Sequence, residues 1–232
     1  MKRIVFLMVS FILMTPYINA QEKKKFAVRT VAFYNVENLF DTINDPHKFD
    51  DDRTPEGADR WTSKVYNDHV HKIAKVISEI GSDVTKHAPD IVGLAEIENE
   101  AVVRDLINTE YLKRYNYGIV HYESPDARGV DVALIYKKSV FKPTASFPHP
   151  LYLTKDDGKP LYTRDQLLVS GELDGEMIHF IVNHWPSRFG GEAKSRPSRE
   201  KAAALNKKII DSLLSKDPNA KVIAMGDFND DP

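Results

Sequence analysis

The chain has 232 residues, 42% hydrophobic and 28% charged, with 32 Lys and Arg against 34 Asp and Glu for a net charge of −2. These ordinary globular values exclude a disordered tail, a collagen-like repeat and a coiled coil, and the length predicts one large domain or two small ones. The absence of Cys excludes a disulfide framework, a thiolate zinc site, an iron–sulfur cluster and a Cys nucleophile, and the near-neutral balance argues against a binder that grips nucleic acid by bulk charge.

Residues 1–20 read as a secretory signal: Lys2 and Arg3, an apolar run from Ile4 to Met14, then Pro16 and the small Ala20. The apolar run is short for a membrane anchor, which needs about 20 residues. Cleavage after Ala20 is expected, and no stable membrane span is expected after it. It removes two cations and no acid, leaving 212 of the 232 residues and moving the net charge from −2 to −4. An exported protein, periplasmic or extracellular, meets little ATP or reduced nicotinamide, so hydrolysis of an external substrate is the natural class of reaction.

Residues 21–28 form a polar leader and 29–232 the domain proper. Arg29–Asn35 is rich in β-branched and aromatic residues and reads as a strand, and Asp41–Asp59, with Pro46, Pro55 and Gly57, reads as a loop. Thr62–Ser82 fits a helix with Val70, Ile73, Val76, Ile77 and Ile80 on one face and Gly81 as its stop. A short strand, Ile91–Leu94, precedes a second helix, Asn99–Leu112. Strands Tyr117–Tyr122 and Val130–Tyr136 follow. Gln166–Leu173 and Met177–Asn183 flank Asp174-Gly175, a two-residue hairpin signal. Ser198–Ser215 is a helix with Ala202, Leu205, Ile209 and Leu213 on its apolar face, and Lys221–Met225 is a last buried strand. Hairpin-joined strands mixed with helix-separated ones predict α/β layers around mixed sheets.

Four of these strands run into polar residue types able to do chemistry: Asn35 and Glu37, Glu96 and Glu98, Asn183 and His184, Asp227 and Asn229. If the strands are neighbours their ends converge on one rim, where ligands of α/β sheets sit. Singly, an Asn or Asp after a strand usually caps a turn. Four together are harder to read that way.

The ordered set Phe33-Tyr34-Asn35-Val36-Glu37-Asn38, Pro89-Asp90-Ile91-Val92-Gly93-Leu94-Ala95-Glu96, Asn183-His184-Trp185-Pro186-Ser187-Arg188 and Gly226-Asp227-Phe228-Asn229 resembles the endonuclease/exonuclease/phosphatase superfamily, also called DNase I-like. The resemblance covers residues 30–232. It implies a four-layer α/β/β/α sandwich of two similar halves. It assigns Glu96 and Asn35 to a catalytic divalent metal, Mg²⁺ with Mn²⁺ or Ca²⁺ as alternatives. Asp227 matches the carboxylate that orients or deprotonates the attacking water, and Asn229 the amide that holds phosphate or water in line. His184 matches a histidine that contacts the scissile phosphate and protonates the leaving oxygen, and Glu123 a carboxylate that orients this histidine. Arg128 and Arg188 are candidate phosphate contacts, and seven Lys and Arg against two acids between Pro186 and Lys208 form a local cationic stretch. Glu37 and Glu98 rank lower, as solvated or second-row carboxylates. The Asp50–Asp52 run fails the EF-hand spacing and reads as a solvated loop, while Trp61 and Tyr66 read as packing residues.

Family members normally end with a Ser-Asp-His element, and none occurs in this sequence. The last strands of the second half are therefore expected to be missing, the chain being a fragment of a longer one, and this fragment alone is expected to be inactive. The function implied is an exported, metal-dependent phosphodiester hydrolase, an endonuclease acting on nucleic acid as a monomer. The alternatives are a phosphomonoesterase or phospholipase of the same fold, acting on inositol phosphates or sphingomyelin, and a catalytically inactive phosphate-binding relative.

Overall fold

The structure is a computed structural model that describes residues 27–231; the export signal expected at residues 1–20 lies outside the described residues. Two four-stranded mixed sheets form the centre. The first contains β1 (Val31–Leu39), β2 (Ile91–Ile97), β3 (Tyr117–His121) and β4 (Asp131–Lys137), in the order β1-β2-β4-β3. The second contains β5 (Phe141–His149), β8 (Gln166–Leu173), β9 (Glu176–His184) and β10 (Lys221–Asp227), in the order β10-β9-β8-β5. In each, one parallel pair at an edge (β1 with β2, β10 with β9) is continued by antiparallel strands. A small hairpin of β6 (Leu153–Thr154) and β7 (Pro160–Leu161) stands apart.

Strand alternation sorts the side chains into layers. Ile91 and Ala95 of β2 and Val132 and Leu134 of β4 face Val169, Phe180, Val182 and Met225 of the second sheet, forming the dry seam between the sheets. Gly93 lies on the same seam: a Cβ there would sit 3.1 Å from the Met225 sulfur and 3.2 Å from Val182. The outward residues Val92, Leu94 and Ile97 pack against α1 (Ser63–Glu79) and α3 (Glu100–Ile107), beyond the four-residue α2 (Ser82–Thr85). On the far side, Leu168 and Ile181 pack on Ile209 of α4 (Glu192–Lys216). The result is the expected four-layer α/β/β/α sandwich.

Local signals explain most boundaries. Thr62 accepts from the Val65 amide to cap α1, whose buried stripe is Tyr66, Val70, Ile73, Ala74 and Ile77. Val76, expected on that stripe, points outward. Gly81 stops the helix with φ +66°, a conformation glycine adopts without cost. Asn99 caps α3 through the Ala101 and Val102 amides. That helix ends at Ile107 rather than Leu112, because the Thr109 hydroxyl donates back to the Leu106 carbonyl and competes with further helix. Asp174 and Gly175 both take positive φ, the geometry of the tight hairpin turn that their sequence predicts. Other elements also differ from expectation. Strand β5 was not foreseen, and α4 begins at Glu192, six residues before Ser198, with Pro197 inside it. Among the described residues no helix is long and apolar enough to cross a membrane.

Candidate active site

The four polar strand ends belong to two parallel pairs, one in each sheet, and the face-to-face packing brings the pairs together. Alternation alone would send Glu96 outward with Val92 and Leu94. A β-bulge between Ala95 and Ile97 instead leaves Glu96 unpaired with φ +64°, so Ile97 takes the outward position and Glu96 is turned to the rim. A non-glycine residue in this region costs about 1–3 kcal/mol and persists only where its surroundings hold it, which is the habit of functional sites. Glu37, Asn38 and Asn229 on the same rim are also left-handed.

Two contacts cross the seam. The Asn35 amide donates to Asp227 Oδ2 at 3.1 Å. His184 Nε2 lies 3.5 Å from Glu96 Oε1, with side-chain exposures of 3% and 15%. Burial first, then the neighbouring Arg164 and Arg128 guanidiniums, push the His184 imidazole down to about 2. Burial thus disfavours the charged ring, and its buried Nδ1 has no hydrogen-bond partner. A neutral imidazole donates or accepts a hydrogen bond; it does not carry an acidic proton for a leaving group.

Asp227 is held on both oxygens: Oδ2 by Asn35, and Oδ1 by the Asn229 backbone amide at 3.0 Å. The preceding Gly226 is required by crowding, since a Cβ there would lie 2.3 Å from the Asn183 carbonyl oxygen. Asn229 turns its side-chain amide to the Trp185 carbonyl at 2.9 Å, and Trp185 packs edge-on against Phe228. Asn183, buried beneath, joins Met225, Trp185 and Asn206 by hydrogen bonds. It is a brace between β9, β10 and α4 rather than a reacting group.

The other expected residues divide. Arg128 sits on the loop before β4, with its backbone amide fixed by Asp126 Oδ1 at 3.0 Å and its guanidinium half exposed beside the site. Arg188 does not extend toward the rim. It is engaged by the Asn229 carbonyl and by Asp230, Asp231 and Glu192. Glu123 does not orient His184. It is exposed and lines a separate acidic cleft of about 340 Å³ with Asp41, Asp45, Glu98 and Asp131. In that cleft, burial and the neighbouring Asp41, Asp50 and Asp45 push Glu98 up to about 7. The expected packing roles of Trp61 and Tyr66 hold: both are buried in the outer core.

The sequence reading missed Arg164. It lies two residues before β8, buried, and donates to Asp126 Oδ2 at 3.1 Å and to the Trp185 carbonyl at 2.7 Å. One carboxylate, Asp126, thus orients two guanidiniums beside His184. The signal available was Thr163-Arg164-Asp165, a polar triplet opening an apolar strand, but no strand end preceded it. The cationic stretch is also reduced by internal pairing: Arg196 pairs with Glu200, Arg199 with Glu192 and Asp230, and Lys207 with Asp211.

Among the described residues no group of three His, Asp or Glu side chains converges as a ready metal cage. The donors present nonetheless fit a hard divalent ion. Glu96, whose side chain is 15% exposed, accepts no hydrogen bond from any described residue, and the Arg164 guanidinium acts on it only at longer range. Asn35 Oδ1 accepts only the Glu37 amide and keeps a lone pair. Mg²⁺ commonly takes one or two carboxylates and completes its shell with water and substrate phosphate.

Comparisons with known proteins place the fold. The model of the endonuclease/exonuclease/phosphatase family matches residues 30–232. No curated protein matches the sequence. Among solved structures, a mannosyl-6-phosphatase from Bacteroides thetaiotaomicron superposes with TM-score 0.55 at 19% identity, over 88% of this chain and 67% of that one. TDP2 from Caenorhabditis elegans gives 0.52 at 18%, over 73% and 44%. TDP2 from D. rerio, complexed with a single-strand DNA product, gives 0.50 at 18%, over 88% and 62%. At these identities the likeness is one of fold. The chain spans between under half and two thirds of the length of these structures.

Proposed function

This chain belongs to the endonuclease/exonuclease/phosphatase family, and from that membership we propose that it is an exported, divalent-metal-dependent phosphodiester hydrolase acting on nucleic acid. The observation that carries the reading is the meeting of Glu96, His184, Asn35 and Asp227 across the inter-sheet seam. Export is read from residues 1–20 alone.

In this reading Glu96 and the free lone pair of Asn35 would hold a divalent metal, which when bound would supply Lewis-acid neutralisation of the phosphate oxygens. Asp227, fixed by Asn35 and the Asn229 amide, accepts the proton of the attacking water. A positioned base of this kind contributes about 10²–10⁴-fold. The Arg128 guanidinium stabilises charge on the non-bridging oxygens as attack proceeds. His184 fixes the orientation of Glu96 or hydrogen-bonds a phosphate oxygen through a neutral N–H.

A phosphomonoesterase is the second reading. The internal pairing of Arg188, Arg196 and Arg199 favours it, because fewer cations remain to track a long backbone. The experiment compares single-stranded oligonucleotide cleavage with phosphate release from small sugar phosphates, each with Mg²⁺ and with chelator. Mg²⁺-dependent strand cleavage supports the proposal. Release from monoesters alone favours the second reading, and turnover unaffected by chelator overturns the metal assignment.

A further inference from the structure

Beside the candidate site lies a second concavity, a cleft of about 560 Å³ between the β6–β7 hairpin, the loop after β9 and the start of α4. Its volume is in the range of small-molecule sites. Arg164 stands in its wall and is hydrogen-bonded to the carbonyl of Trp185, the residue after His184, which places the cleft next to the candidate catalytic rim. Two aromatic side chains line it with unusual exposure: Phe189 at 91% and Tyr162 at 60%. Neither makes an aromatic contact with another described residue. Lys155 and Lys194 line the same cleft and form no ion pair among the described residues, in contrast to the paired cations further along α4; of the two acids that also line it, Asp157 is paired with Lys159, and with Arg164 the cations outnumber the acids by three to two.

Exposed rings cost hydration without contributing to the core, and two around one cleft indicate a flat apolar partner. Unpaired cations on the same walls indicate an anionic one. Both are properties of a nucleotide, whose base stacks on rings while its phosphate meets ammonium groups. We propose that this cleft receives the nucleotide flanking the scissile phosphodiester, with Phe189 and Tyr162 stacking its base and Lys155 and Lys194 meeting its phosphate. The assignment rests on the phosphodiesterase reading above and narrows it to unpaired strand, because a base reaches a stacking platform only when it is free of its complement. The short run of free cations limits the footprint to a few nucleotides.

The test is fluorescence anisotropy of the full chain with two labelled single strands of equal length, one carrying bases and one abasic throughout. Wild type is expected to bind the base-bearing strand about 10-fold tighter, the scale of one base–aromatic stack. Phe189→Ala, a change at an exposed position, should bring the two strands to equal affinity, and Phe189→Trp should keep the difference. Equal binding of both strands by wild type, or an unchanged preference in Phe189→Ala, overturns the assignment, as does displacement of the base-bearing strand by mannose 6-phosphate but not by a mononucleotide. Binding is read without turnover, so the two claims fail separately. Base-dependent binding with no cleavage of any phosphoester by the full-length protein overturns the hydrolase reading and leaves the cleft assigned as a nucleotide site; cleavage without base dependence does the reverse.

Discussion

The Asn35 side-chain amide donates to the Asp227 carboxylate at 3.1 Å, joining the end of β1 in one sheet to the end of β10 in the other. This bond fixes the distance between the two halves of the rim, and it makes Asn35 a positioning partner for the proposed base. Asp227→Ala is expected to lower kcat/KM by about 10²–10⁴-fold with little change in thermal midpoint. Asn35→Asp places a second carboxylate at hydrogen-bond distance, so the pair retains a proton to higher pH. The acid limb of the kcat/KM profile should then move up by about one unit or more. An unmoved limb would show that the 35–227 contact does not govern the reacting carboxylate.

His184 is held neutral by burial and by Arg164 and Arg128, with its imidazole near 2. An NMR titration of its ring protons should therefore stay flat from pH 8 to pH 4.5, where an ordinary histidine titrates near 6.5. Arg128→Ala removes one of the two cations and should not restore an ordinary midpoint, since burial is the larger cause. A midpoint near 6 in the wild type would return His184 to the role of proton donor.

Arg199 is a test of the tie between α4 and the loop after β10. Its side chain is 1% exposed and bonds Glu192, Ser195 and Asp230. Arg199→Ala strands a cavity and unpairs two carboxylates that water partly screens, so a loss of about 2–3 kcal/mol in urea unfolding is expected. Arg196→Ala, three residues earlier in α4 but on the solvent side with only Glu200 as partner, should cost less than about 0.5 kcal/mol.

Asp165 reports on the electrostatics beneath the rim. Burial, then the nearby Asp131, pushes its carboxyl up to about 6, and its Oδ1 is buried without a partner. The folded state binds the proton more tightly than the unfolded one, so this group's contribution falls as pH rises from about 4 to about 6. Asp165→Asn should be more stable than wild type at pH 7 by about 1 kcal/mol, after discounting for its partial exposure, and no more stable at pH 4. Paired thermal melts at the two pH values check the sign.

Much of this architecture is legible in the sequence because apolar alternation and turn chemistry agree there. The Asp174-Gly175 hairpin, the faces of α1 and the strands leading to Asn35, His184 and Asp227 follow from local rules. Strand β5 does not, because Pro143 and Pro148 interrupt it. Prolines are tolerated there since β5 pairs only with β8 and lies at the sheet edge. The start of α4 is hidden for the same kind of reason: Pro197 reads as a boundary, yet it sits within the helix. At the site, alternation sends Glu96 to the wrong face, and only the bulge corrects it. Arg164 and Asp126 are far apart in sequence and reach His184 through tertiary packing. The fate of Arg188 depends on the acidic residues that follow Asn229, which no local pattern reveals.

The central claim is that Glu96 is the metal-holding carboxylate of a phosphodiester hydrolase. The most direct measurement is Mg²⁺-dependent cleavage of single-stranded oligonucleotide by the full-length protein, wild type against Glu96→Gln, with Mg²⁺ affinity read in parallel by calorimetry. The variant keeps the size of the side chain and removes its charge. The structure predicts that Glu96→Gln stays folded, binds Mg²⁺ at least about 10-fold more weakly and loses nearly all cleavage. Undiminished cleavage and unchanged Mg²⁺ affinity in a folded Glu96→Gln protein would contradict it.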